Sequence, residues 1–146
     1  MKKIITILIT PVLQKHWFAD LIFASIRFIC GMLLCLEFGS GKFGMPWTPD
    51  ERNLSLFEVV AWFPKDIAEY GGIFALMPVF FAWMGAFTEA VGGILFAFGL
   101  KTRITGFLIM CTMLVAICMQ KWGQGTWAIL PAMSFLWVAI YHTYLG

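Results

Sequence analysis

From about residue 21 to residue 145 this sequence is apolar almost throughout, and only one long polar stretch, residues 44–72, interrupts it. A helix needs about 20 apolar residues to cross a hydrocarbon core about 30 Å thick. Short polar breaks divide the apolar part into four runs of that order: about 21–43, 73–100, 104–122 and 127–145. Composition excludes the soluble alternative. Hydrophobic residues make up 61% of the chain and charged residues 12%, against about half and about a quarter in globular domains. Too few charges remain to cover a water-facing surface. The expected fold is an all-α membrane protein, a four-transmembrane-helix bundle forming one domain over residues 1–146. Its long first extracytoplasmic loop is expected to carry short interfacial helices.

The other connections, Lys101-Thr102-Arg103 and residues 123–126, are short, which makes spans two, three and four antiparallel neighbours. The second run exceeds what a bilayer requires and should tilt or protrude. In the loop, residues 54–70 are amphipathic and interrupted by Pro64, a pattern that suits short helices on the membrane surface. Residues 4–9 form an apolar run too short for a signal peptide, with no small-residue cleavage site after it. They read as a retained interfacial lead-in with Lys15, His16 and Trp17.

The cations Lys2, Lys3, Lys15, Lys101 and Arg103 fall on one side of this topology, against Lys42, Arg52, Lys65 and Lys121 on the other. By the positive-inside rule both termini are expected in the cytoplasm, with the chain in a bacterial inner membrane. A cysteine placed in the 44–72 loop should then react with an impermeant reagent in intact cells, and one beside Gly146 should not. The reverse labelling would invert the orientation.

Ionisable side chains inside a span cost roughly 2.5–3.5 kcal/mol each and usually pair or line a pathway. Arg27, Glu37 and Glu89 are therefore the candidate intramembrane polar site. With the first span centred near Met32, Arg27 and Glu37 lie roughly 7 Å to either side of the centre. The antiparallel second span then brings Glu89 within reach of Arg27 and leaves Glu37 without a basic partner. Gly85, Glu89, Gly92 and Gly99 follow i, i+4, i+7, i+14, and Gly31 shares a face with Arg27. Gly31, Gly85, Gly92 and Gly99 thus form a candidate helix-packing seam, since small residues let helices approach closely in lipid. The carboxylates either fix packing through an ion pair or handle protons and bind a polar headgroup such as a quinone ring.

Cys30, Cys35, Cys111 and Cys118 make no metal spacing; they read as packing residues or as a thiol pair between the first and third spans. His16 and His142 are too dispersed for a haem or metal centre. Trp17, Trp47, Trp122 and Trp127 suit an interfacial belt. Net charge is only +2, with no basic stripe for nucleic acid.

Arg27 with Gly31, Gly39-Ser40-Gly41-Lys42, Phe87-Thr88-Glu89 with Gly92-Gly93, and Gly99-Leu100-Lys101-Thr102-Arg103 together resemble the DoxX family of small four-helix membrane proteins, over about residues 20–145. One such relative is the small membrane subunit of a thiosulfate:quinone oxidoreductase, and others accompany redox or detoxification enzymes. The resemblance implies the architecture more than a reaction; the first reading, from an acidic, aromatic loop without catalytic motifs, is a small membrane subunit or scaffold, non-catalytic on its own, held among lipids with other subunits or its own copies. The alternative is a quinone-linked oxidoreductase subunit using the Arg/Glu site, for which a quinone or lipid is the bound molecule. A solute or ion transporter ranks third, because no internal repeat is evident. No catalytic residue is identifiable: the chain carries no flavin site, haem-ligand pair or dithiol motif.

Overall fold

A computed structural model describes residues 17–145. The lead-in expected over residues 1–16 lies outside the described residues. Among the described residues four helices are long and apolar enough to cross a membrane: α1 (Trp17–Gly39), α4 (Pro78–Ala97), α5 (Thr102–Gln124) and α6 (Thr126–Leu145). Between α1 and α4 lie the short helices α2 (Phe63–Glu69) and α3 (Gly72–Leu76). This is an all-α four-helix membrane bundle.

Local chemistry moves two of the expected boundaries. The first span stops at Gly39, where the Ser40 amide donates to the Cys35 carbonyl at 2.9 Å and the Phe43 amide to the Gly39 carbonyl at 3.0 Å. Residues 40–43 therefore form a turn and not the end of a span. The second span starts at Pro78, because a residue preceding proline is driven out of the helical region. Met77, at φ −138° and ψ 57°, breaks the chain there. The apolar excess over residues 73–77 becomes α3. Pro64 begins α2 instead of interrupting it, since proline fits the first helical turn, where an amide has no partner anyway.

The first loop does not simply lie along a membrane surface. Phe43, Phe63 and Ile67 pack on Ala82, Ala86 and Ala90 of α4 as a second core, and Phe43 is completely buried. Room for this arises because α1 ends beside Ala90, twelve positions past Pro78, or about 18 Å of helix. The loop fills the length of α4 that α1 leaves uncovered. The main core, with Leu34, Phe96, Ile109, Met113, Phe135 and Leu136, joins the four long helices.

The tightest helix contact is between α1 and α4. A Cβ at Gly31 would stand 2.5 Å from the Gly93 carbonyl oxygen and 2.7 Å from the Ala97 nitrogen. One at Gly93 would stand 2.8 Å from the Gly31 oxygen, and one at Gly39 would stand 2.6 Å from the Ala90 Cα. The contact is thus Gly31 and Gly39 against Ala90, Gly93 and Ala97. Gly85 and Gly92, expected in this seam, have only ordinary neighbours at 3.6 Å, Phe63 and Thr88 respectively. The stripe fails because Thr88–Gly92 is π-helical. An i→i+5 turn takes up an extra residue and rotates everything after it to another face.

Gly99 also leaves the seam. It sits at φ +75°, with the Leu100 amide donating to the Leu95 carbonyl and the Gly99 amide to the Phe96 carbonyl. That pairing closes a helix end with a left-handed residue, which glycine adopts without steric cost.

Candidate functional site: a cavity beside a lysine–glutamate pair

The turn after α1 returns Lys42 to α4, where it meets Glu89. Its Nζ donates to Oε2 at 2.7 Å and to Oε1 at 3.0 Å, with the side chains 17% and 6% exposed. The same ammonium stands 5.0 Å from the centre of the Phe63 ring, a cation–π contact that helps replace lost hydration. Two charges taken from water in this way persist only when paired in good geometry. Here each oxygen of the carboxylate has a contact to the ammonium.

Beside the pair is a cavity of about 250 Å³, enclosed by α2, α3, α4 and α5. Phe63, Ile67, Tyr70 and Phe74 close it from the loop side; Phe81, Met84, Thr88 and Glu89 face it from α4. On α5 its wall includes Leu108, Cys111, Thr112, Val115, Ala116 and Gln120. Most of this surface is apolar, with the pair as its charged spot. The Phe74 and Phe81 rings meet at 4.8 Å. Cys111 lines the cavity and is also exposed on the bundle flank near the middle of α5.

Tyr70, at the end of α2, is the phenol of this site. Burial, reinforced by the negative charges of Asp66, Glu69 and Glu89, raises its pKa above the ordinary value. It stays protonated and can donate. Of the three π-helical turns among the described residues, two carry cavity residues: Thr88–Gly92 holds Glu89, and Ala116–Lys121 holds Gln120. Such turns concentrate at functional sites because they re-aim side chains at the cost of regular bonding. The third, Leu34–Gly39, carries Glu37.

The expected Arg27–Glu89 pair is not formed. With Gly39 against Ala90 and Gly31 against Gly93, Arg27 lies twelve positions back along α1 from the residue level with Glu89, about 18 Å away. Its guanidinium packs instead over Gly99 at the opposite end of the bundle, and its buried Nε has no hydrogen-bond partner among the described residues. Glu37 is exposed, outside the cavity lining. The three candidates thus occupy three separate places.

Lys42 is the residue that sequence reasoning missed as a site member. Its signal was present in Gly39-Ser40-Gly41-Lys42, a turn able to fold a lysine back. The span boundary placed at residue 43 concealed it. His142, set aside as a metal ligand, is buried between the rings of Phe23 and Phe96, and its Nδ1 donates to the Val138 carbonyl at 2.9 Å. No cluster of metal-ligating side chains occurs among the described residues. All four cysteines are free thiols, so the inter-span thiol pair is not formed.

Comparison with the curated proteins and with solved structures gives no match. The DoxX family model matches residues 53–122, a stretch that contains every lining residue named above except Lys42. With that match set among four bilayer-length apolar helices, this integral membrane protein is similar to the DoxX family over residues 53–122.

Proposed function

We propose that this chain is a membrane subunit that receives a lipid-dissolved, ring-headed molecule of the quinone type and presents it to a larger membrane complex. The observation that carries this reading is the largely apolar cavity with the Lys42–Glu89 pair on its wall. An apolar pocket with a few convergent polar groups is how small-molecule sites are generally built. The aromatic walls suit a flat ring. Lys42 donates to a ring oxygen, Tyr70 offers a second donor, and Glu89 is placed to exchange a proton with a bound hydroxyl. Electrons come from a partner, because the chain carries no cofactor motif of its own. The short-loop cations support cytoplasmic termini in a bacterial inner membrane, with the cavity toward the outer side.

A second reading, a non-catalytic scaffold, is favoured by the loop surface. Leu56, Phe57 and Trp62 are exposed there, on a segment that also exposes Asp50, Glu51 and Glu58. One experiment separates the two. Purification of the native assembly in mild detergent should retain a partner protein and a bound quinone, identified by solvent extraction and mass spectrometry. A reproducible partner without any bound small molecule would leave the scaffold reading, and a solitary, ligand-free chain would remove both.

A further inference from the structure

We infer that the cavity accepts an uncharged polar head and rejects carboxylate and phosphate heads, and that the Lys42–Glu89 pair sets this choice. The inference rests on the cavity being a ligand site. Lys42 is the cation among the described lining residues, and its charge is already used. Its Nζ contacts both oxygens of Glu89 at 2.7 and 3.0 Å, and Phe63 covers another side of it at 5.0 Å. An anionic head arriving here would have to share that single ammonium with the carboxylate.

The surroundings offer no relief. Thr88, Thr112 and Gln120 are neutral wall residues. Tyr70 carries no positive charge, and the carboxylates of Asp66 and Glu69, which act on it, add negative potential on the loop side. A desolvated second anion would therefore be uncompensated, which is costly at low dielectric. An uncharged ring with carbonyl or hydroxyl oxygens meets a different surface. It can accept from Lys42 or Tyr70 and donate to Glu89 without separating the pair. Membrane amphiphiles with the same tail are thereby sorted by head charge alone.

The test uses two probes with alkyl chains of nearly equal length, a fully ring-substituted decyl benzoquinone and decanoate. Each is added at equal concentration to the intact chain in detergent, and bound ligand is counted by native mass spectrometry. The quinone should bind in excess by about tenfold or more, the least expected when an unpaired charge must enter a dry site. Cys111→Trp, which puts an indole into the cavity wall, should abolish the quinone adduct. Equal binding of the two probes, both lost in Cys111→Trp, would overturn the charge selection while leaving the site intact. Absence of both adducts would overturn the ligand site itself.

Glu89→Gln frees the ammonium and should invert the preference toward decanoate. Gln120→Lys adds a cation while leaving the pair intact, and supplies the same test should Glu89→Gln fail to fold. Decanoate should gain in either variant. If it gains in neither, the pair is not what selects the ligand.

Discussion

Replacing Lys42 with Met, or Glu89 with Leu, will sharply reduce folded yield and thermal stability, while the double replacement will recover most of the loss. Each single change leaves one buried charge without its partner, and breaking such a pair costs about 3–5 kcal/mol. The double variant removes both charges and fills similar volume with apolar groups, which is often neutral or better. The relevant side-chain exposures are 17% for Lys42 and 6% for Glu89, so solvent cannot substitute for the missing partner. Thermal unfolding monitored in one detergent for all three variants and the parent gives the comparison. A double-mutant cycle between Lys42 and Glu89 should show strong coupling, and the parallel cycle between Arg27 and Glu89 should show additivity, as expected for groups with no shared contacts. Additivity at Lys42 with coupling at Arg27 would reverse the assignment. The double variant also separates structure from function: regained stability with lost quinone binding marks the pair as part of the ligand site.

The bundle itself was legible because bilayer length and apolar composition are coarse constraints that any four-span chain must meet. The site was less legible, for reasons traceable to a few residues. Depth estimates assumed that each apolar run was one helix centred in the membrane. Met77-Pro78 ends that assumption for the second run, and the turn at residues 40–43 ends it for the first. Both errors slide α1 along α4, and the partner of Glu89 changes from Arg27 to Lys42. The glycine stripe follows an ideal 3.6-residue period, which the π-helical turn at Thr88–Gly92 does not keep. Nothing in local composition announces such a turn, because its bonding is settled by packing. The cavity was invisible for a similar reason: its walls come from α2, α3, α4 and α5, and only the folded loop brings Phe63, Ile67 and Tyr70 to face Cys111 and Gln120.

Substitution of alanine at Gly31 or Gly93 will be far more damaging than the same substitution at Gly85, although all three glycines lie in long apolar helices. Within a helix, glycine to alanine is favourable by roughly 0.5–1 kcal/mol from backbone entropy alone. At Gly85 the added methyl would meet Phe63 no closer than 3.6 Å, so that benefit should be kept. At Gly31 it would stand 2.5 Å from the Gly93 oxygen, and at Gly93 2.8 Å from the Gly31 oxygen. Backbone atoms on both sides cannot rotate out of the way, so the helices must separate. Overpacking typically costs about 1–3 kcal/mol, and a backbone-to-backbone clash belongs at the upper end or above it. Separation would also release the main-chain approach that holds membrane helices together where no hydrophobic force draws them in. The consequence extends to the site, because the approach of Gly31 to Gly93 and of Gly39 to Ala90 fixes the level at which Lys42 turns back to Glu89. Gly93→Ala should therefore lose quinone binding along with thermal stability, whereas Gly85→Ala should keep its stability. Equal behaviour of the two variants in thermal unfolding would mean that α1 and α4 are not in backbone contact, and the register that pairs Lys42 with Glu89 would fall with it.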